Sequence, residues 1–229
     1  MPGDEPSAAA RQRWRLVLAR SVAAPGVGSR DLIDVWESAI AASTLPLYRP
    51  PGRTRARIAF GAPIPPALEV EHELADIVLT EFVPIWRVRE GLADRLPDGW
   101  RIVDLYDVWL AGPPLAGQVV AADYRIAVAG ADPETLRDAA AGLLRADRLP
   151  RERPKGDSTV RYDLRPLLAD VSVAGADGPA IVRARTRFDP VLGTGRPEEV
   201  VAALGDAGGA PLTITSLVRE RLVLAHDPD

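Results

Sequence analysis

Arginines at every second position are the first chemical signal in this chain. Arg183, Arg185 and Arg187 alternate in "VRARTRF", Arg219 and Arg221 alternate in "VRERL", and Arg53, Arg55 and Arg57 alternate in "RTRAR". In an extended strand, alternate side chains point to the same side. Guanidinium forks gathered in this way suit planar recognition of phosphate and carboxylate. With Arg125 in "DYRIAV", the arginines of the second half predict one basic sheet face that binds RNA or another polyanion. The plainer reading is an ordinary polar outer face, balanced by Asp123 and Glu220. "RTRAR", with Arg13 and Arg15, would extend the basic track onto the first half, through phosphate contacts that give binding without sequence choice. Aromatic residues for base stacking are not evident on these strands, since Tyr124 and Phe188 need not share the face.

A second candidate is the loop "LGTGRPEEVVAALG" (192–205). Gly193 and Gly195 permit positive φ, so backbone amides around Thr194 and Arg196 could converge on an anion. The helix that follows would add partial positive charge, and Arg196 a fork of donors. Against this, Glu198 and Glu199 already sit in the first helical turn, and the lysine and hydroxyl of a nucleotide-binding loop are missing. The competing expectation is a tight connection into a helix.

Other chemistries are bounded by composition. The chain has 229 residues, no cysteine and two histidines, His72 and His226. Absent thiols remove disulfides, thiolate zinc sites, cysteine nucleophiles and cysteine-ligated clusters. Two histidines are too few for a histidine-rich metal site. "EVEHELAD" (69–76) offers Glu69, Glu71, His72, Glu73 and Asp76, but without a second histidine it is expected to be a solvated acidic loop. Asp104 and Asp107 lie an odd number apart in one strand and do not form an evident carboxylate pair. No catalytic residue, metal or cofactor is therefore expected. A net charge of −4 gives no global basic field. No apolar run reaches the roughly 20 residues of a membrane span, and the N-terminus lacks a signal-peptide core, so a cytoplasmic protein without membrane contact is expected.

The elements that must position these residues fall into two similar halves. "RWRLVLARSV" (13–22) reads as a strand, and "SRDLIDVWESAIAAS" (29–43) as a helix with Ser29 as N-cap. "RTRARIAFG" (53–61) and "LADIVLTEFV" (74–83) read as strands, "PIWRVREGLADRLP" (84–97) as a helix and "WRIVDLYDVWL" (100–110) as a strand. After "AGPPLAGQ" (111–118) comes "VVAADYRIAVAG" (119–130), again a strand. "DPETLRDAAAGLLRA" (132–146) is a helix with Asp132 as cap and Pro133 at its first position. Two strand-like runs lie within 158–188, then a helix over 196–205 and a last strand over 212–224. The predicted fold class is α+β, two tandem ferredoxin-like (βαββαβ) units with antiparallel sheets. The units are expected at 13–112 and 118–225, behind a disordered tail over 1–12. Trp14, Trp36, Trp86, Trp100 and Trp109 are all expected in the core.

Three features together resemble a known family. "RYDLRPLLADV" (161–171), "LGTGRPEEVVAALG" (192–205) and the arginine-flanked last strand are similar to a radical-SAM-linked bacterial domain family of unknown function. The order strand, helix, "LPLY", arginine-rich strand agrees as well, so the resemblance runs from Trp14 to Leu224. It implies a domain that stands beside, or is fused to, a radical-SAM protein with a cobalamin-binding module. This sequence departs from the family's Ser-His-Leu-Asp-Leu and Gly-Phe-Asn-Pro-Arg-Pro segments, having "GSRDLIDVWESAIAAS" and "RPPGRTRARIAFG" instead. The expected role is a non-catalytic accessory module that recognises a substrate, RNA or another polyanion, for a radical-SAM partner. The alternatives are an RNA-processing endoribonuclease of tandem ferredoxin-like fold, and a protein-interaction domain whose arginines dock an acidic partner.

Overall fold

A computed structural model describes residues 9–21, 29–65, 68–155, 158–175 and 179–227. The chain forms two compact units, Met1–Gln118 and Val119–Asp229. The expected tail over 1–12 and the side chain of Ser29 fall largely outside the described set. The architecture is mixed α+β with a mostly antiparallel sheet, with eleven strands and four α-helices among the described residues. No described helix is long and apolar enough to cross a membrane.

The first unit runs β1 (Gln12–Arg20), α1 (Ser29–Ala41), β2 (Ile58–Phe60), β3 (Glu69–Leu79), α2 (Ile85–Ala93) and β4 (Trp100–Val108). Its strands lie side by side in the order β2-β3-β1-β4, every pairing antiparallel. Leu16 and Leu18 on the central β1 are fully buried, and Trp36 and Ile40 on α1 and Val88 and Leu92 on α2 join them in the core. On α1, Leu32, Trp36 and Ile40 are buried, while Ile33 is exposed. Trp36 packs edge-on against Phe60 and Trp100 at 5.9 and 5.2 Å, a geometry that aromatic quadrupoles favour.

The second unit runs β5 (Val119–Ala129), α3 (Pro133–Arg145), β6 (Pro150–Lys155), β7 (Ser158–Asp163), β8 (Leu168–Ala174), β9 (Ala180–Asp189), β10 (Gly193–Thr194), α4 (Pro197–Gly208) and β11 (Thr213–Leu224). The main strands are ordered β8-β9-β5-β11, again antiparallel. Asp132 caps α3 by accepting from the backbone N–H groups of Glu134 and Thr135, as its sequence context demands. α3 and α4 pack on each other and over β8 and β9. The β6–β7 hairpin carries no apolar alternation in its sequence, and periodicity alone passes over it.

Four expectations need correction. β2 contains only Ile58–Phe60, so Arg53, Arg55 and Arg57 stand in the irregular segment before it, and strand alternation does not align them. "EVEHELAD" is not a solvated acidic loop: it opens β3, and Glu73 and Asp76 are buried. Of the five tryptophans, Trp86 and Trp109 are 60% and 76% exposed. Trp86 projects from the side of α2 opposite Val88 and Leu92, and Trp109 lies beyond the last paired residue of β4. Finally, α4 runs past Gly205 to Gly208, and Gly209, with a φ of 78°, caps it in the left-handed region.

Candidate functional site

The predicted arginine face forms on β5, β9 and β11, with one member lost. Along β9, Ala180, Val182 and Ala184 are buried, so Arg183, Arg185 and Arg187 project to the other side. On β5, buried Ala122, Tyr124, Ile126 and Val128 leave Asp123 and Arg125 on that same side. Register confirms the match: Asp123 stands opposite Arg185 and Arg125 opposite Arg183. On β11 an irregularity between Arg219 and Arg221 inserts Glu220 as an extra residue. A one-residue insertion reverses the parity of everything beyond it. Arg221 therefore faces outward opposite Asp123, whereas Arg219 sits opposite buried Tyr124 and is itself 2% exposed. Arg219 does not belong to the face.

Two carboxylates organise four guanidiniums there. Arg185 grips Asp123 with two hydrogen bonds of 2.7 and 3.1 Å, and Arg221 Nε donates to the same carboxylate at 2.8 Å. Arg125 Nε donates to Glu220 at 2.9 Å, and Arg183 Nη1 reaches it at 3.2 Å. Burial alone would raise the Asp123 carboxyl, but the hydrogen bonds from Arg185 and Arg221 hold it below its ordinary value of 3.8. Arg187 is exposed and donates through Nη1 to the carbonyls of Pro166 and Leu168. With Asp170 at the margin and Asp189 two residues beyond Arg187 on the same side of β9, five guanidiniums stand against four carboxylates, an excess of one positive charge. A depression of about 390 Å³ lies between Arg183, Arg185, Asp170 and Ser172. Such a surface offers directional donors to an oxyanion at the cost of exchanging one carboxylate contact for another.

The glycine loop is built as a connection. Gly193 and Thr194 pair with Asp189 and Phe188 in a short antiparallel ladder, and the turn between is closed by the Asp189 carboxylate, which accepts from Val191 N–H and Leu192 N–H. Gly193 takes a φ of 96°, which requires glycine. Gly195 serves a different need: a Cβ there would lie 2.6 Å from Leu167 O and 2.9 Å from Thr186 Cβ. Its N–H donates to Arg187 O at 2.9 Å, so it does not join a nest of convergent amides. Arg196 is the exposed N-cap residue of α4, and it follows directly on the glycine bonded to Arg187. The loop thus brings Arg196 beside β9 as a tight connection into a helix, the competing expectation.

The basic track on the first half does not form. Arg15 is buried and holds Asp76 through two hydrogen bonds of 2.8 and 3.0 Å. Arg13 is buried too and donates to the carbonyls of Gly112 and Pro113. Arg53, Arg55 and Arg57 are exposed. Arg55 donates to Ser38 Oγ at 3.3 Å, and Arg57 stands on the lip of an apolar depression of about 450 Å³ lined by Ile33, Ile58 and Ile64. Asp76, considered above as a metal ligand, is the buried counterion of Arg15. Among the described residues no group of three or more His, Cys, Asp or Glu side chains is placed to hold a metal.

The geometry defines an α+β protein with a mostly antiparallel sheet and a networked, arginine-rich sheet face. Residues 13–199 match the family model described as "Uncharacterized protein conserved in bacteria (DUF2344)", and the chain belongs to that family. The radical-SAM link implied by the earlier resemblance is not part of that match. No curated protein is similar in sequence. Among solved structures, a Cbf5-Nop10-Gar1 complex superposes with a TM-score of 0.52 at 9% identity, over 91% of this chain and 48% of that one. An archaeal box H/ACA sRNP Nop10-Cbf5 complex gives 0.48 at 11% identity, over 93% and 49%. An H/ACA RNP bound to a substrate RNA containing 2′-deoxyuridine gives 0.49 at 9% identity, over 91% and 47%. The chain spans about half the length of these solved chains, and at such identities the likeness concerns fold alone.

Proposed function

We propose that the chain is a non-catalytic recognition module that binds RNA or another polyanion through the outer face of β5, β9 and β11, in the service of a radical-SAM enzyme. The observation that carries the binding is the charge excess on that face, with Arg187 turned outward beside the Asp123 and Glu220 networks. Phosphates would displace carboxylate contacts, so affinity would come from many exchangeable guanidiniums and not from one fixed cradle. The likeness to the Cbf5-Nop10-Gar1 complex is in keeping with an RNA-related role and does not by itself supply one. The radical-SAM partner rests on the resemblance of "RYDLRPLLADV" and "LGTGRPEEVVAALG". We read each unit as a ferredoxin-like domain, with the break at 112–118. In support, β4-β1-β3-β2 and β11-β5-β9-β8 are the same permutation of a strand-helix-strand-strand-helix-strand order.

Filter binding of a short single-stranded RNA across a salt series tests the binding. Each contacted phosphate contributes a slope of about −0.7 in log affinity against log salt. Arg183→Ala with Arg187→Ala, both at exposed positions, is expected to weaken binding and to flatten the slope by roughly two contacts. Binding that ignores both substitutions rejects this face. For the enzyme partner, a radical-SAM protein that co-purifies with the wild type at high salt is the expected result.

A further inference from the structure

α2 carries a second surface, on the unit that lacks the arginine face. Its buried residues, Val88 and Leu92, define one side. On the opposite side Trp86, Arg89, Glu90 and Ala93 follow the i, i+3, i+4, i+7 spacing of a single stripe, and all four are exposed. Phe82 leads into the helix at 75% exposure, and Ile85 and Trp109 are exposed as well. Large aromatic groups grouped on a surface mark interaction sites.

These side chains stand on a backbone fixed from beneath. The buried Gln12 amide accepts from Val83 N–H at 2.8 Å and donates to Asp107 Oδ2 at 2.8 Å. One side chain thereby ties the segment of Phe82–Trp86 to the strand end that leads to Trp109. Arg13 donates to the carbonyls of Gly112 and Pro113 and so holds the turn that follows Trp109. A partner covering rings displayed in this way pays little in ordering entropy.

The charges select the partner. Residues 81–95 carry Glu81, Glu90 and Asp94 against Arg87, Arg89 and Arg95, all exposed, so the surface offers no excess charge to a polyanion. The stripe is, however, complementary to itself. Consider a second α2 laid antiparallel about a two-fold axis between positions 89 and 90. Arg89 of each copy then faces Glu90 of the other, and each Trp86 lies over the small Ala93 of its mate. We propose that this surface binds the same surface of a second copy of the chain, forming an isologous dimer. The proposal does not depend on the arginine face of the other unit.

Sedimentation equilibrium of the full chain is expected to show mass rising with concentration from 24.5 kDa toward twice that value. Trp86→Ala should weaken association at least about tenfold, as loss of an interfacial anchor does. Arg89→Glu alone and Glu90→Arg alone should each abolish it, because like charges then meet twice. An equimolar mixture of the two charge variants should dimerise again. Circular dichroism melts should leave each variant folded, the substituted positions being exposed. A chain that stays at 24.5 kDa up to about 1 mM overturns the proposal, as does a dimer indifferent to Arg89→Glu. Quenching of Trp86 fluorescence by single-stranded RNA with no change in mass would overturn it too, assigning the patch to nucleic acid.

Discussion

Asp123 accepts from two guanidiniums at once, and that sharing governs how basic the outer face of unit 2 can be. Freeing Arg185 and Arg221 would expose more positive charge while removing their anchor. Asp123→Asn is therefore expected to raise RNA affinity about fivefold, the scale of one exposed charge pair. The same change should lower folding stability by about 1–2 kcal/mol through loss of charge-assisted hydrogen bonds. The sign with pH follows from the direction of the shift. A carboxyl held below 3.8 in the folded chain contributes fully above that value, and the contribution disappears as pH falls through the folded value. Denaturant titrations of wild type and variant should therefore differ at pH 7 and converge below pH 3.8. A constant gap across that range would show that Asp123 is not the titrating anchor. Arg15 and Asp76 form a different kind of pair: both are buried, so their charges serve the interior of the sheet and offer nothing to a ligand.

At the scale of elements, the β6–β7 hairpin is fastened to α4 by Arg151, which reaches both Glu199 and Asp206. Arg153 lies over the ring of Tyr162 at 5.3 Å, within cation–π range. Burial first, and then the charge of Glu199, push the Tyr162 phenol up to about 12. A raised acid group contributes stability fully below its unfolded value near 10 and loses it as pH rises through the folded value. Absorbance titration should thus show a tyrosine ionising near pH 12, and Tyr162→Phe should delete that step. A late step that persists in the variant would assign it elsewhere. The bulge in β11 is the other decisive element, since it turns Arg219 inward and brings Glu220 and Arg221 out to meet Arg125, Arg183 and Asp123.

For the whole molecule, the net charge of −4 opposes the local excess on unit 2. Long-range attraction of a polyanion is therefore weak, and contacts made after encounter must carry the affinity. Stopped-flow measurements should show association near the unsteered range, about 10⁵–10⁶ M⁻¹s⁻¹, nearly independent of salt, with dissociation accelerating as salt rises. A strongly salt-dependent association rate would instead point to a steering field that the overall charge does not provide.

Most of the order of strands and helices, the β6–β7 hairpin and the short β10 excepted, was legible along the chain because it is written in local terms. Asp132 and Pro133 start a helix wherever they precede an apolar stripe, Leu16 and Leu18 alternate into one core face, and missing thiols exclude whole chemistries without any coordinates. Alternation also correctly placed Arg183, Arg185 and Arg187 on one side of β9, since that strand keeps its register with β5 throughout. A helical-wheel reading against Val88 and Leu92 would have found Trp86 outside the core, a signal that composition alone obscures. Tertiary structure alone decided the rest: which arginines face solvent, which are held by Asp76, Asp123 or Glu220, and where Arg219 points. The reason is physical. Side-chain parity on a strand and the neutralisation of a guanidinium both depend on a partner strand far away in sequence, and one inserted residue such as Glu220 changes both without altering the local pattern.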